Sequence, residues 1–196
     1  MVNKLRDEAQ KAGIDLAIAT PFPRMSYRDA VERYGSDKPD LRFGLELKDV
    51  SDIAKASDFK IFQSVVAAGG IVKAIGIPGG AAFSRKEMDV DLLDAAKPYG
   101  AKGLAWIKIA ESEYTGAPAK FFKKEQLDAL RDRLGVKAGD VMAFVADTHK
   151  VANASLAAVR NLLGRKLNLI QEGEFKFTWV TEFPSFEWDA EDQRWQ

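Results

Sequence analysis

The stretch Ile71 to Asp89, IVKAIGIPGGAAFSRKEMD, constrains the fold more than any other part of the chain. An apolar run of strand length (Ile71 to Ile77) ends at Pro78-Gly79-Gly80, and the chain then reaches Ser84. Glu87 follows Ser84 at the spacing of a capping box, in which each side chain meets the other residue's free backbone N–H. Met88, Leu92, Ala95 and Ala96 recur at helical period, and Pro98 and Gly100 end the pattern. The spacing therefore predicts a strand, a tight turn and a capped helix over Ser84 to Lys97.

Other segments extend this unit. Lys60 to Ala67 is a second β-rich run, and Ala68-Gly69-Gly70 between it and Ile71 is a hairpin signal. Strands are predicted over Leu104 to Ile109 and over the continuous apolar run Val141 to Ala146. Phe121 to Leu134 reads as a helix stopped by Gly135. Asp147-Thr148 opens a long helix with the stripe Ala152, Leu156, Val159 and Leu163, closed by Gly164. Strands alternating with helices after a hairpin imply an α+β domain of two layers, a sheet with helices on one face.

Upstream, Lys4 to Lys11 reads as a short charged helix and Ile14 to Thr20 as an apolar link that Pro21 and Pro23 break. Ser26 caps a helix that ends at Gly35, and the polar loop Gly35 to Asp40 follows, either a solvated connection or the lining of a charged-ligand site. Leu47 to Ala56 reads as a short helix or turn, and a boundary is placed near Ser57. Downstream, Phe175 to Glu182 alternates as a strand with Phe175, Phe177 and Trp179 inward, and Trp188 to Trp195 reads as a hairpin. An aromatic strand at the very end of a chain is unusual and suggests a piece of something longer.

Composition removes several classes of chemistry. The 196 residues contain no cysteine and one histidine, His149, so Cys-ligated metals, Cys nucleophiles, His-based triads and multi-His sites cannot be built from this chain. Twenty-nine basic and 29 acidic residues balance, so any RNA contact must be local. No apolar run approaches the length of a membrane span, and the charged N-terminus is not a signal peptide. A cytoplasmic location is consistent with these features.

Few residues could carry chemistry. Gly79-Gly80 with Ser84-Arg85-Lys86 is the best anion-site candidate, because a helix N-terminus presents free N–H groups beside two basic residues. It is not a phosphate-binding P-loop, and a tight turn with a good cap accounts for the same residues. Asp89, Asp91 and Asp94 could hold magnesium or act as acid and base, but on an amphipathic helix such a run is usually the solvated face. His149 beside Asp147 and Lys150 reads as a surface residue. Trp179, Phe183, Phe186, Trp188 and Trp195 lack interleaved Arg and Lys and read as core rather than as base-stacking platforms.

Six segments together resemble the bacterial-type aspartyl-tRNA synthetases: PFPRMSYRDAVERYGSDKPDLRF (Pro21 to Phe43), IPGGAAFSRKEMD (Ile77 to Asp89), YGAKGLAWIKI (Tyr99 to Ile109), AKFF (Ala119 to Phe122), GDVMAFVADTHKVANASLAAVRNLLGRKL (Gly139 to Leu167) and WVTEFPSFEWD (Trp179 to Asp189). They occur in family order. The resemblance implies a class II synthetase whose inserted GAD domain occupies residues 58–155, with catalytic-domain segments at 1–57 and 156–196. It also implies a parent that attaches L-aspartate to tRNA through an aspartyl-adenylate, uses ATP and Mg, and works as a homodimer. The family's ATP-gripping Arg motif is expected upstream of Met1, and its His-His-Pro-Phe stretch just after Gln196. No catalytic, cofactor-binding or metal-binding residue is therefore carried over, and the chain alone is expected to be inactive with no cofactor. Arg85 and Lys86 are the candidates for RNA contact, which is expected to be weak or indirect. The alternative is a tRNA-facing binding module like the GAD domain of the glutamyl-tRNA amidotransferase B subunit, but PFPRMSY and GSDKPDLRF fit the synthetase pattern better.

Overall fold

The computed structural model describes residues 2–11, 13, 20–111, 113–171, 173–186, 188–189 and 192–195. Five antiparallel strands make the central sheet: β2 (Leu47–Asp49), β3 (Ile71–Ile77), β4 (Ala105–Ile109), β5 (Tyr114–Thr115) and β6 (Val141–Asp147). Their spatial order is β2-β3-β6-β4-β5, so the two seven-residue apolar strands lie side by side near the middle. Full pairing from Ile71 with Asp147 to Ile77 with Val141 buries both strands, as their near-continuous apolar sequence requires.

The α+β class holds, but helices cover both faces of the sheet rather than one. Alternation along β3 sends Ile75 and Ile77 to one side, against Leu92 and Ala96 of α5 (Leu92–Ala96) and Leu156 and Val159 of α7 (His149–Lys166). Val72 and Ala74 point the other way, toward Ala54 of α3 (Ser51–Lys55), Phe62 of α4 (Lys60–Ala67) and Leu130 of α6 (Lys124–Leu134). A central strand whose apolar residues fall on both faces needs cover on both sides, and the sequence supplies helices enough to provide it.

Lys60 to Ala67 is a helix, not a strand hairpinned onto β3. Phe62, Val65 and Val66 fall at helical spacing, and Phe62 packs on Phe122 and Phe144 at ring distances of 6.3 and 5.8 Å. Both edges of β3 are already occupied by β2 and β6. The β-branched valines suggested a strand, but tertiary packing overrode that preference. Leu47 to Ala56 likewise divides into β2 followed by α3.

Capping predictions fare better. Ser26 Oγ accepts the Asp29 N–H at 3.0 Å at the start of α2 (Tyr27–Tyr34), and Gly35 ends that helix at φ 73°. Thr148 caps α7. Gly164 does not close α7. It lies inside the helix, where Phe43 packs so close that a Cβ would meet the ring at 2.5 Å.

The tail departs from expectation. Only Trp179–Thr181 (β7) is strand, paired in parallel with β1 (Arg24–Ser26). Phe175, Phe177 and Trp179 are exposed rather than inward: β1 and β7 form a separate two-stranded sheet, and Phe22, stacked on Phe177 at 5.2 Å and 6.4 Å from Trp179, covers these rings only in part. Phe183, Phe186, Trp188 and Trp195, expected in a core, are exposed as well. The terminal hairpin pairs β8 (Trp188–Asp189) with β9 (Arg194–Trp195), the two indoles 5.5 Å apart. The helix α1 (Val2–Lys11) stands as predicted, and the Ile14 to Thr20 link lies outside the described residues except at Thr20. Among the described residues no helix is long and apolar enough to cross a membrane.

Candidate functional site

The Ile77 to Asp89 turn spends its own backbone donors. Gly79 adopts the left-handed conformation (φ 64°), and its N–H donates to Asp140 Oδ1 at 2.8 Å. The N–H groups of Ala81, Ala82 and Phe83 go to the carbonyls of Gly139, Gly79 and Gly80. Ser84 and Glu87 form the reciprocal cap, with Ser84 N–H donating to Glu87 Oε2 at 2.7 Å and Glu87 N–H to Ser84 Oγ at 3.3 Å. Six backbone donors of the turn and cap, those of Gly79, Ala81, Ala82, Phe83, Ser84 and Glu87, are thus committed within the fold, which accounts for its glycines and its cap by turn geometry. Lys166, 2.5 Å from Glu87, and the Ser84 bonds hold the Glu87 carboxyl down to about 2, so it stays ionised at neutral pH.

Beyond the turn, Arg85 and Lys86 are both exposed. The Arg85 side chain is 90% exposed and forms an ion pair with Asp89 at 3.0 Å. Asp89 also accepts from the Trp106 indole N–H at 2.8 Å, and these two bonds lower its pKa. The three aspartates do not converge, since Asp94 pairs instead with Lys97. Among the described residues no group of His, Asp and Glu could hold a metal ion.

A cleft of about 870 Å³ opens beside Arg85 and Asp89 and is lined mainly by apolar side chains of α4 and of the β4 edge. Concave, mostly apolar sites of this size are where ligands usually bind.

His149 contacts Glu32 of α2 and accompanies Asn153 on α7. Glu32 belongs to a cluster that the sequence reading missed. Lys73 of β3 is 0% exposed, and its ammonium donates to Glu32 Oε2 (2.7 Å), Glu32 O (2.7 Å) and Asn153 Oδ1 (2.6 Å). Burial pushes the Glu32 carboxyl up, but hydrogen bonds and charge from Lys73 and His149 outweigh it and the net shift is downward. Arg160 was missed too. It is buried, with its guanidinium 4.1 Å from the Phe43 ring and 4.9 Å from that of Tyr34. It donates to the carbonyls of Asp40, Phe43, Gly44 and Leu45 at 2.8–3.1 Å, and burial lowers its pKa. Each had a signal: Lys73 is the one charge in an apolar strand, and Arg160 sits on the apolar stripe four residues after Leu156.

These contacts tie the segment before residue 57 to the sheet and to α7. The GAD domain family matches residues 62–156, the span that holds β3 to β6 and the first half of α7. That span of the chain is similar to the GAD domain. The chain's likeness to known proteins extends well beyond that domain. The aspartate–tRNA(Asp/Asn) ligase of Natranaerobius thermophilus is 48% identical over all 196 residues. The aspartate–tRNA ligase of Halalkalibacterium halodurans is 50% identical over 195 residues, and the aspartate–tRNA(Asp/Asn) ligase of Desulfatibacillum aliphaticivorans 52% over 179. The chain covers 33%, 32% and 30% of these relatives, so it spans about a third of their length. The flanks match ligases as the GAD domain does, and the amidotransferase alternative is not favoured.

Proposed function

We propose that this chain works as part of an aspartate–tRNA ligase, a class II synthetase that joins L-aspartate to tRNA through an aspartyl-adenylate formed from ATP with magnesium. The observation that carries this reading is identity of about half the residues across nearly the whole chain, flanks included. In this reading residues 58–155 are the inserted GAD domain, residues 1–57 and 156–196 belong to the catalytic domain, and the enzyme is a cytoplasmic homodimer. The parallel β1–β7 pair supports the role of the flanks. Three-residue strands paired in parallel are marginal alone and belong in a wider, covered sheet. Trp179, the first residue of β7 and 57% exposed, is the kind of surface such a sheet or its covering helices would bury.

The chain alone is inactive in this proposal, because the residues that grip ATP and aspartate lie elsewhere in the parent. Aspartate-dependent exchange of pyrophosphate into ATP tests this, and exchange by the purified 196-residue chain would overturn it. Arg85 and Lys86 serve as a local RNA contact. Reversing both charges in the full ligase raises the KM for tRNA several-fold at low salt, and an unchanged KM removes that role.

A further inference from the structure

The outer edge of the five-stranded sheet is half open. Ile109 uses both backbone groups inward: its N–H donates to Asp140 O (3.0 Å), and its carbonyl accepts from Gly139 N–H (2.9 Å). Backbone groups of successive residues in an antiparallel ladder point to opposite neighbours. Ala105, Ile107 and Ile109 therefore face β6, and Leu104, Trp106 and Lys108 face outward. β5 meets this outer edge only at Lys108 and Ile109. Gly116, at φ 131°, then packs against the edge at the Trp106 carbonyl, which a Cβ there would meet at 2.5 Å, and Ala117 and Pro118 continue along the cleft wall. Among the described residues, the Leu104 backbone and the Trp106 N–H have no strand partner.

The 870 Å³ cleft straddles this edge. On one face of the sheet it is walled by Phe59, just before α4, and by Ile61 of α4, with Ile61 60% exposed. On the other face Trp106 and Lys108 line it, and Lys102, in the bend before β4, lines it as well. The Lys108 ammonium donates to two neutral carbonyls, Ala81 O and Phe83 O, each at 3.0 Å. Neither Lys102 nor Lys108 has an ion pair among the described residues, whereas the Arg85 charge is matched by Asp89. Asp147, also at the cleft, is spent on the Thr148 N–H.

We propose that the Leu104–Trp106 edge is a docking site for an extended peptide strand of a partner protein, one that alternates apolar and acidic side chains. Main-chain pairing to Leu104 and Trp106 supplies the affinity, and alternation supplies the specificity. Apolar residues of the incoming strand lie against Ile61, and the acidic ones between them face Lys102 and Lys108. The open backbone edge favours peptide over RNA. Single-stranded RNA asks for exposed aromatic faces and a row of cations, whereas the Trp106 indole is tied to Asp89. The proposal is independent of the ligase reading.

Hydrogen exchange of the isotope-labelled 196-residue chain, with and without a capped peptide of alternating isoleucine and glutamate, provides the test. The Trp106 amide is expected to exchange more slowly with the peptide bound. N-methylating the two peptide amides that face the edge weakens binding about tenfold. Lys102→Glu weakens it about fivefold, and Ile61→Lys does so comparably, with the unfolding midpoint unchanged. No binding at millimolar peptide would overturn the proposal. So would protection elsewhere with Trp106 unaffected, protection of Trp106 by a single-stranded RNA oligomer but not by the peptide, or protection that grows with protein concentration alone.

Discussion

Lys73 Nζ lies 2.7 Å from Glu32 Oε2, joining a strand at the centre of the sheet to a helix 41 residues earlier. The two partners differ sharply in exposure: the Lys73 side chain is 0% exposed and that of Glu32 is 38%. Removing the carboxylate leaves a buried ammonium with only neutral acceptors, whereas removing the ammonium leaves a carboxylate that water can reach. Glu32→Ala should therefore destabilise by about 3 kcal/mol, and Lys73→Met by roughly 1–2 kcal/mol for the orphaned Asn153 oxygen. Urea unfolding of the two variants decides the point, and a larger loss from Lys73→Met would refute the asymmetry.

Arg160 supports a second prediction. Its guanidinium collects four carbonyls from Asp40 to Leu45 and has no carboxylate among its hydrogen-bond partners. A lysine carries the same charge but cannot fan its donors across that arc or stack between two rings. Arg160→Lys should cost about 2–3 kcal/mol, near the price of two or three buried polar groups left unpaired. Protease cleavage within Asp40–Leu45 should rise in parallel, and an unaltered cleavage rate would show that the loop holds itself.

The sequence made some of this legible and hid the rest for physical reasons. Caps were readable because Ser26, Ser84 and Thr148 act on backbone groups three residues away, so their evidence is local. The strands Ile71 to Ile77 and Val141 to Ala146 announced themselves by length and apolarity, which Lys73 alone interrupts. Those same residues show that the sheet is buried on both faces, yet which helices cover which face is a long-range fact. The α4 error arose because eight residues containing two valines fit both periods, and only the rings of Phe122 and Phe144 select the helix. Buried Lys73 and Arg160 looked like ordinary surface charges, since their partners lie far away in the chain. At the cleft, Arg85 and Asp89 were noticed as a cap and a charge run, but the open β4 edge beside them depends on where β5 stops.

Acid should weaken the fold through Glu46. Its hydrogen bond to Arg33 (2.5 Å) holds its carboxyl down to about 2, against an ordinary value of 4.5, with Lys48 adding to the effect and burial opposing it. A carboxyl depressed in the folded state contributes stability that is present above 4.5 and lost as pH falls toward 2. Solvent screening limits each exposed pair to about 1 kcal/mol or less. The urea midpoint should decline from pH 5 downward, and Glu46→Gln should flatten part of that decline. An identical pH profile for the variant would remove Glu46 from the account.

Gly164 offers the sharpest contrast between local and tertiary preference. Alanine inside a helix normally gains about 1 kcal/mol over glycine, and Gly164 sits within α7 near its end. A Cβ there, however, would lie 2.5 Å from Phe43 Cζ and 2.7 Å from Cε1, closer than side chains approach. Phe43 cannot simply retreat, because its ring lies 4.1 Å from the Arg160 guanidinium and its carbonyl accepts from the same group. Gly164→Ala should therefore destabilise by about 1–3 kcal/mol, the usual cost of overpacking. Phe43→Leu, destabilising alone through lost packing, should recover part of the Gly164→Ala loss when the two are combined. A double-mutant cycle in urea reads that coupling. Additive losses would mean that the ring moves aside freely and that the close approach of α7 to the Asp40–Leu45 loop does not constrain residue 164.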